Sequence, residues 1–201
     1  MACEQDSNFA LDFTKLFQVG EPGDSREFRV NSKGNLSSDR AYKLTRGEIP
    51  PERIELHWSM GRLKPADIIG TELSILLIVS EKVKRILESE KITGWKTYPV
   101  SIFGKDHTEV PGYHGLSIFG RCGQIDNRQS VKIDKVFPGG IFPVWRGLFF
   151  DPGSWDGSDF FMPDEESGHV FVSEKVKSAL EKAQANNIEF TALTDIERNK
   201  I

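Results

Sequence analysis

The chain has 201 residues, 26 of them basic and 30 acidic, for a formal net charge of -4. That mild acidity argues against generic nucleic-acid binding, which draws on a basic surface. Fourteen Phe and four Trp can fill a core of ordinary size, in one domain or two small ones.

The first residues show no basic segment followed by an apolar run, so no secretory signal is expected. Two cysteines, Cys3 and Cys122, make no disulfide framework and suit a reducing compartment. Residues 1–51 are polar and punctuated, and they read as an N-terminal extension to a main domain at 52–201, with which they could pack as one. Turns are expected at 20–23 and 31–40, and short edge strands at 27–30 and 41–44. Pro50-Pro51 extends the chain. Residues 54–58 (IELHW) then alternate apolar with polar, the period of a half-buried strand.

Residues 65–70 read as a turn or short helix. The apolar run at 73–79 (LSILLIV) is far shorter than the ~20 residues that cross a bilayer, so a soluble, cytoplasmic protein is expected. By itself this run fits either a buried strand or a buried helix. An internal duplication resolves it. Residues 79–88 (VSEKVKRILE) return at 172–181 (VSEKVKSALE), identical at eight of ten positions. The second copy is entered through His169-Val170-Phe171, β-branched and aromatic, which favours a short strand before each copy.

Ser80 and Ser173 are natural N-caps. Glu81 and Glu174 follow in the first turn, where a carboxylate complements the helix dipole. Val83, Ile86 and Leu87 form one apolar face, and Val176, Ala179, Leu180 and Ala183 form the other. Gly94 is expected to stop the first helix and Asn186-Asn187 the second. Strands follow at 95–102 and 188–196, with further strands at 115–119, 131–136 and 144–150. The fold class predicted is α+β: two strand-helix-strand halves joined by a β-rich middle, in a mixed or antiparallel sheet. Lys82, Lys84, Arg85, Lys175 and Lys177 alternate with glutamates on the polar helix faces and read as solvated.

No phosphate loop, nucleophile elbow or H-E-x-x-H is present. The histidines, His57, His107, His114 and His169, lack metal-ligand spacing, so no metal or cofactor is expected. His114 and Cys122 could meet across a hairpin as a nucleophilic pair, with Asp126 beside them, and this is the one enzymatic alternative. A structural or regulatory interaction module is another. The stretch from Asp151 to Gly168 holds no Lys or Arg. Its composition suits an exposed loop, and an acidic loop carrying aromatics can steer and anchor a basic protein partner. Trp155, Asp156, Asp159, Asp164, Glu165 and Glu166 are the candidate contact residues.

Three segments carry a resemblance. The first joins Pro65-Ala66-Asp67-Ile68, Leu77-Ile78-Val79-Ser80-Glu81-Lys82-Val83 and Gly94-Trp95-Lys96-Thr97-Tyr98-Pro99-Val100. The second is Gly112-Tyr113-His114-Gly115-Leu116-Ser117-Ile118-Phe119-Gly120-Arg121-Cys122-Gly123, with Ile125-Asp126 and Ser130. The third joins Trp155-Asp156-Gly157-Ser158-Asp159-Phe160-Phe161, Val170-Phe171-Val172-Ser173-Glu174-Lys175-Val176 and Ile188-Glu189-Phe190. In this order they resemble an immunity-protein family of bacterial polymorphic toxin systems, of myxobacterial type and formerly a domain of unknown function. The resemblance spans roughly residues 65–193. It implies a non-catalytic, cofactor-free protein that binds and occludes a cognate toxin in the cytoplasm of the cell that makes it, without nucleic-acid or membrane partners. It implies no contact residue individually.

Overall fold

The computed structural model describes residues 11–34, 36–50, 52–164 and 168–199. In chain order the elements are β1 (Leu16–Gly20), β2 (Arg29–Asn31), α1 (Ser38–Thr45), β3 (Ile54–Met60), β4 (Ile68–Thr71), β5 (Ile78–Ser80) and α2 (Glu81–Ser89). Next come β6 (Trp95–Phe103), β7 (Tyr113–Ile118), β8 (Gly120–Cys122), β9 (Val131–Phe137) and β10 (Gly140–Arg146). The chain ends with β11 (Phe160–Pro163), β12 (Phe171–Ser173), α3 (Glu174–Lys182), β13 (Glu189–Ala192) and β14 (Glu197–Arg198). The class is α+β with mixed sheets, as the sequence predicts.

The strands form a closed barrel ordered β2-β3-β6-β7-β5-β4, a five-stranded sheet ordered β13-β1-β12-β11-β8, and a small sheet ordered β14-β10-β9. The first two share a plan. Within the barrel, β2-β4-β5-β7-β6 pair as parallel, antiparallel, antiparallel, antiparallel. In the five-stranded sheet, β8-β11-β12-β1-β13 repeat that series. The duplicated words seen in the sequence are the β5-α2 and β12-α3 corners of these two copies.

The copies differ in where one strand comes from. β7 lies between β5 and β6 of the first copy, with Gly115 opposite Ile78 and Tyr98. The matching strand of the second copy is β1, from the other end of the chain. Gln18 of β1 lies opposite Phe171 and Thr191, each 93 residues beyond Ile78 and Tyr98. Backbone hydrogen bonds repeat too: Leu116 N donates to Leu77 O at 2.9 Å, and Val19 N to Val170 O at 3.0 Å.

One core lies where the copies meet. It holds Val83 and Leu87 of α2, Val176 and Leu180 of α3, and Phe17, Val79, Leu116, Phe160 and Val172 from the strands. Each helix buries the face its apolar spacing defines. A second core fills the barrel around Phe28, Leu44, Leu56, Ile78 and Tyr98. A third covers the far face of the five-stranded sheet with Leu16, Cys122, Phe150, Phe161 and Phe171.

Several local readings need correction. Residues 41–44 belong to α1, not an edge strand. Ser37 caps that helix by accepting from Arg40 N, and Ala41, Leu44 and Thr45 are its buried face. The expected strand at 27–30 is β2, which is an interior strand between β3 and β4. Within residues 65–70, read as a turn or short helix, the buried strand β4 begins at Ile68. The helices stop before the predicted positions. Lys91 and Gln184, 93 residues apart, both take φ of +51° just past their C-caps.

Gly94 serves a close approach instead. With φ at +85°, a Cβ there would lie 2.1 Å from Phe160 O. Its counterpart in the second copy is Asn187, at φ +55°, which uses its side chain to donate to Ile68 O at 2.8 Å.

Ser80 and Ser173 also differ. Ser80 Oγ caps Val83 N at 3.3 Å, whereas Ser173 makes no side-chain cap. Both hydroxyls are turned toward an aspartate. Ser80 donates to Asp67 Oδ1 at 2.8 Å and Ser173 to Asp159 Oδ1 at 2.7 Å. These two carboxylates fasten the copies to each other. Asp67 Oδ2 accepts from Asn186 N at 3.1 Å and Lys82 Nζ at 2.9 Å. Asp159 Oδ2 accepts from Thr93 N at 3.0 Å and Lys175 Nζ at 3.4 Å. Each aspartate thus holds the loop after the other copy's helix. The same two lysines also reach across, Lys82 to Gln184 O and Lys175 to Lys91 O. They are cross-ties, not members of a merely solvated face.

Candidate partner-binding surface

The described part of the acidic stretch, residues 151–164, is folded against the body by its own polar groups. Trp155 is half-buried against the third core, with its ring centroid 5.2 Å from that of Phe161. Its Nε1 donates to Ser158 O at 3.2 Å. Asp156 accepts from Arg121 N and Ser158 N, both at 2.9 Å. Asp159 is the cross-tie already described. Burial works to raise its carboxyl pKa, but hydrogen bonds from Ser173 and Thr93 and the charge of Lys175 hold it below the ordinary value. Asp164 is exposed at the end of β11. Glu165 and Glu166 lie outside the described residues, as does Cys3. Of the six candidates, Trp155, Asp156 and Asp159 are therefore engaged in the fold, with Trp155 half-buried and Asp156 exposed.

The enzymatic alternative is not assembled. His114 Nε2 lies 2.7 Å from Glu81 Oε2. Cys122 is buried in the third core. β7 pairs with β5 and β6, while β8 pairs with β11, so the two residues do not face each other across a hairpin. Asp126 caps a 3-10 turn and binds Arg128. Among the described residues, no three His, Cys, Asp or Glu side chains come together to hold a metal ion. Nor is any described helix long and apolar enough to cross a membrane.

A different surface stands out. The hairpin of β9 and β10 closes through a two-residue turn at Pro138-Gly139, with Phe137 opposite Gly140. Everything from residue 134 to 143 is exposed. Eight large hydrophobic side chains are exposed among the described residues, and five lie on this hairpin: Val131, Val136, Phe137, Ile141 and Phe142. Val136 is 77% and Ile141 68% exposed. The cross-strand register puts Lys135, Phe137 and Phe142 on one face and Val136, Ile141 and Pro143 on the other. Both faces of the tip are thus apolar. Phe137, Phe142, Pro143, Trp145 and Asn199 line an open cleft of about 540 Å³.

The arm is rigidly rooted. Glu197 of β14 accepts from Arg146 Nη2 at 2.9 Å and also from Lys135 Nζ, so one carboxylate spans all three strands. These two cations hold the Glu197 carboxyl below its usual range. At the base, Ser130 Oγ donates to Gly147 O at 2.9 Å, and Leu148 N to Leu193 O at 2.7 Å.

A fold would not leave so many large apolar groups in water for its own stability, because each gains free energy only when covered. Contiguous exposed apolar surface of this kind marks an interaction site. The sequence signal was present in VFPGGIF, where apolar residues flank a Pro-Gly turn without alternating. A run without alternation offers apolar side chains to both faces of a strand, and here the fold covers neither face of the tip.

No curated protein matches the chain. A sequence model of the Immunity protein family (Imm11) matches residues 24–195. That span runs from the linker after β1 to the 3-10 turn before β14, and it contains the first copy, all of the second except β1, and the arm. It reaches upstream of the segments that carry the resemblance in the sequence, taking in β2, α1 and β3. The chain belongs to the Imm11 family of immunity proteins.

Proposed function

We propose that this protein is a non-catalytic immunity protein that binds a cognate bacterial toxin in the cytoplasm of the cell producing both, and that the β9–β10 arm is its main contact. Family membership supports the immunity role. The observation that carries the choice of surface is the concentration of exposed large apolar side chains on one rooted hairpin. Aromatic and aliphatic anchors at the centre of an interface supply most of its affinity, and an arm fixed before binding loses little freedom on docking. The acidic run Asp164, Glu165 and Glu166 contributes charge that draws a basic partner toward the arm. Trp155, Asp156 and Asp159 hold residues 155–159 against the body.

Co-expression with the neighbouring toxin gene tests this. The wild-type chain is expected to restore growth and form a stable stoichiometric complex. Replacing Ile141 and Phe142 with serine should weaken that complex by roughly 30-fold or more, about 2 kcal/mol for loss of a hot spot. Thermal stability should change little, because both side chains face water. Full protection and unchanged affinity in this variant would remove the arm from the interface.

A further inference from the structure

The arm has two open backbone edges, and they are not alike. β10 is covered by β14 only at Trp145 and Arg146. Its remaining outer edge carries Pro143, which lacks an N–H and blocks strand addition. The outer edge of β9 is uncovered over all seven residues of the strand and carries no proline. Natural proteins blunt long exposed edges, and here only one of the two is blunted.

Pro143 also sets which groups of β9 face outward. It lies opposite Asp134. Having no N–H to give the ladder, it occupies a non-hydrogen-bonded pair. Asp134 therefore turns its own N–H and C=O away from β10, and by alternation so do Lys132 and Val136. Three residues thus present three donors and three acceptors in a row.

We infer that β9 binds its partner by strand addition: an extended segment of the toxin pairs with this edge. The inference rests on the toxin-binding reading above. The occupant is a foreign strand, not a second copy, on grounds of charge. The one antiparallel register of two copies that uses all three outward residues sets Asp134 directly opposite Asp134, and like charges opposite each other are unfavourable. The strand that fits places a basic residue opposite Asp134 and an acidic one opposite Lys132. On the other face it sets apolar side chains against Val131, Ile133 and Phe137. Backbone pairing gives affinity and the alternate side chains give selectivity.

The test uses the full chain and a catalytically inactive form of the neighbouring toxin. Asp134→Pro removes the central outward N–H at a position where the β9–β10 ladder needs none. It should lower affinity at least 10-fold while circular dichroism and melting remain those of the wild type. In the wild-type complex, amide exchange at Lys132, Asp134 and Val136 should slow at least 10-fold. That second measurement decides the matter if Asp134→Pro fails to fold. Toxin binding that depends on Ile141 and Phe142 but leaves the three amides exchanging freely would overturn strand addition and keep the arm as the contact. A toxin that does not bind the wild type at all would remove both readings. Slowed exchange that appears without toxin and grows with protein concentration would assign the edge to a second copy and overturn the foreign-strand inference.

Discussion

Replacing both Asp67 and Asp159 with alanine is expected to remove most of the folding free energy. Each carboxylate is more than four-fifths covered at its side chain and answers a serine hydroxyl, a lysine and a backbone N–H. Deleting one leaves those donors partly desolvated and unpaired, a loss of about 3 kcal/mol. The two losses together, about 6 kcal/mol, approach the ~5–15 kcal/mol of a whole domain. Urea unfolding of the two single variants and the double variant measures this. Single losses under about 1 kcal/mol would mean that the cross-ties merely decorate the junction.

The same pair sets an acid limit. For both aspartates burial pushes the carboxyl up, but hydrogen bonds and the nearby lysine outweigh it and hold the folded-state pKa below the ordinary 3.8. Their contribution is therefore complete above about 3.8. It is lost as pH falls from there through the lowered folded value, because the unfolded chain takes up the protons first. Replacing both with asparagine should flatten the acid limb of a stability-versus-pH curve. An unchanged limb would assign acid unfolding to other groups.

Gly115→Ala should also be severe. A Cβ at Gly115 would sit 2.0 Å from Tyr98 Cζ, within the cross-strand pair Tyr98–Gly115. The ring is 1% exposed and fills the barrel, so it has no open side to retreat into. Overpacking of this kind costs about 3 kcal/mol, or roughly 6–12 °C in Tm for a chain of this size. Adding Tyr98→Leu frees the space, and the double variant should recover part of the loss, the signature of direct coupling. Tyr98→Phe alone should stabilise slightly. The buried Tyr98 hydroxyl has no hydrogen-bond partner among the described residues, and removing an unanswered polar group returns its desolvation cost, about 1 kcal/mol. If Gly115→Ala melts with the wild type, the β6–β7 pair is looser than the geometry requires.

What the sequence revealed follows from what is local. The VSEK words carry their strand, cap and apolar face within ten residues, so both corners of the repeat were legible. So was the α+β class. The helix α1 was hidden because Ser37, Ser38 and Asp39 suit turns as well as caps, and only the burial of Ala41 and Leu44 distinguishes the two. Asp67 and Asp159 were obscured by a spacing of 92 in a repeat of 93. The pattern was still there, as Ala-Asp-Ile-Ile beside Ser-Asp-Phe-Phe. The acidic loop drew notice through its charge, yet local hydrogen bonds absorb Asp156 and Asp159. The arm was read only in part, as strands at 131–136 and 144–150 that miss the first four residues of β10, and not as a surface, because exposure on both faces is a tertiary fact.

The strand that the second copy takes from far up the chain has a consequence for timing. β1 precedes every other described strand, but Leu16 must pair with Ser173, 157 positions later. Its slot does not exist until β12, α3 and β13 have been made. Long-range pairing of this kind is slow, and it leaves apolar strands uncovered while synthesis continues. The five-stranded sheet is therefore completed only after β13 has been made, and a product truncated before it lacks the slot altogether.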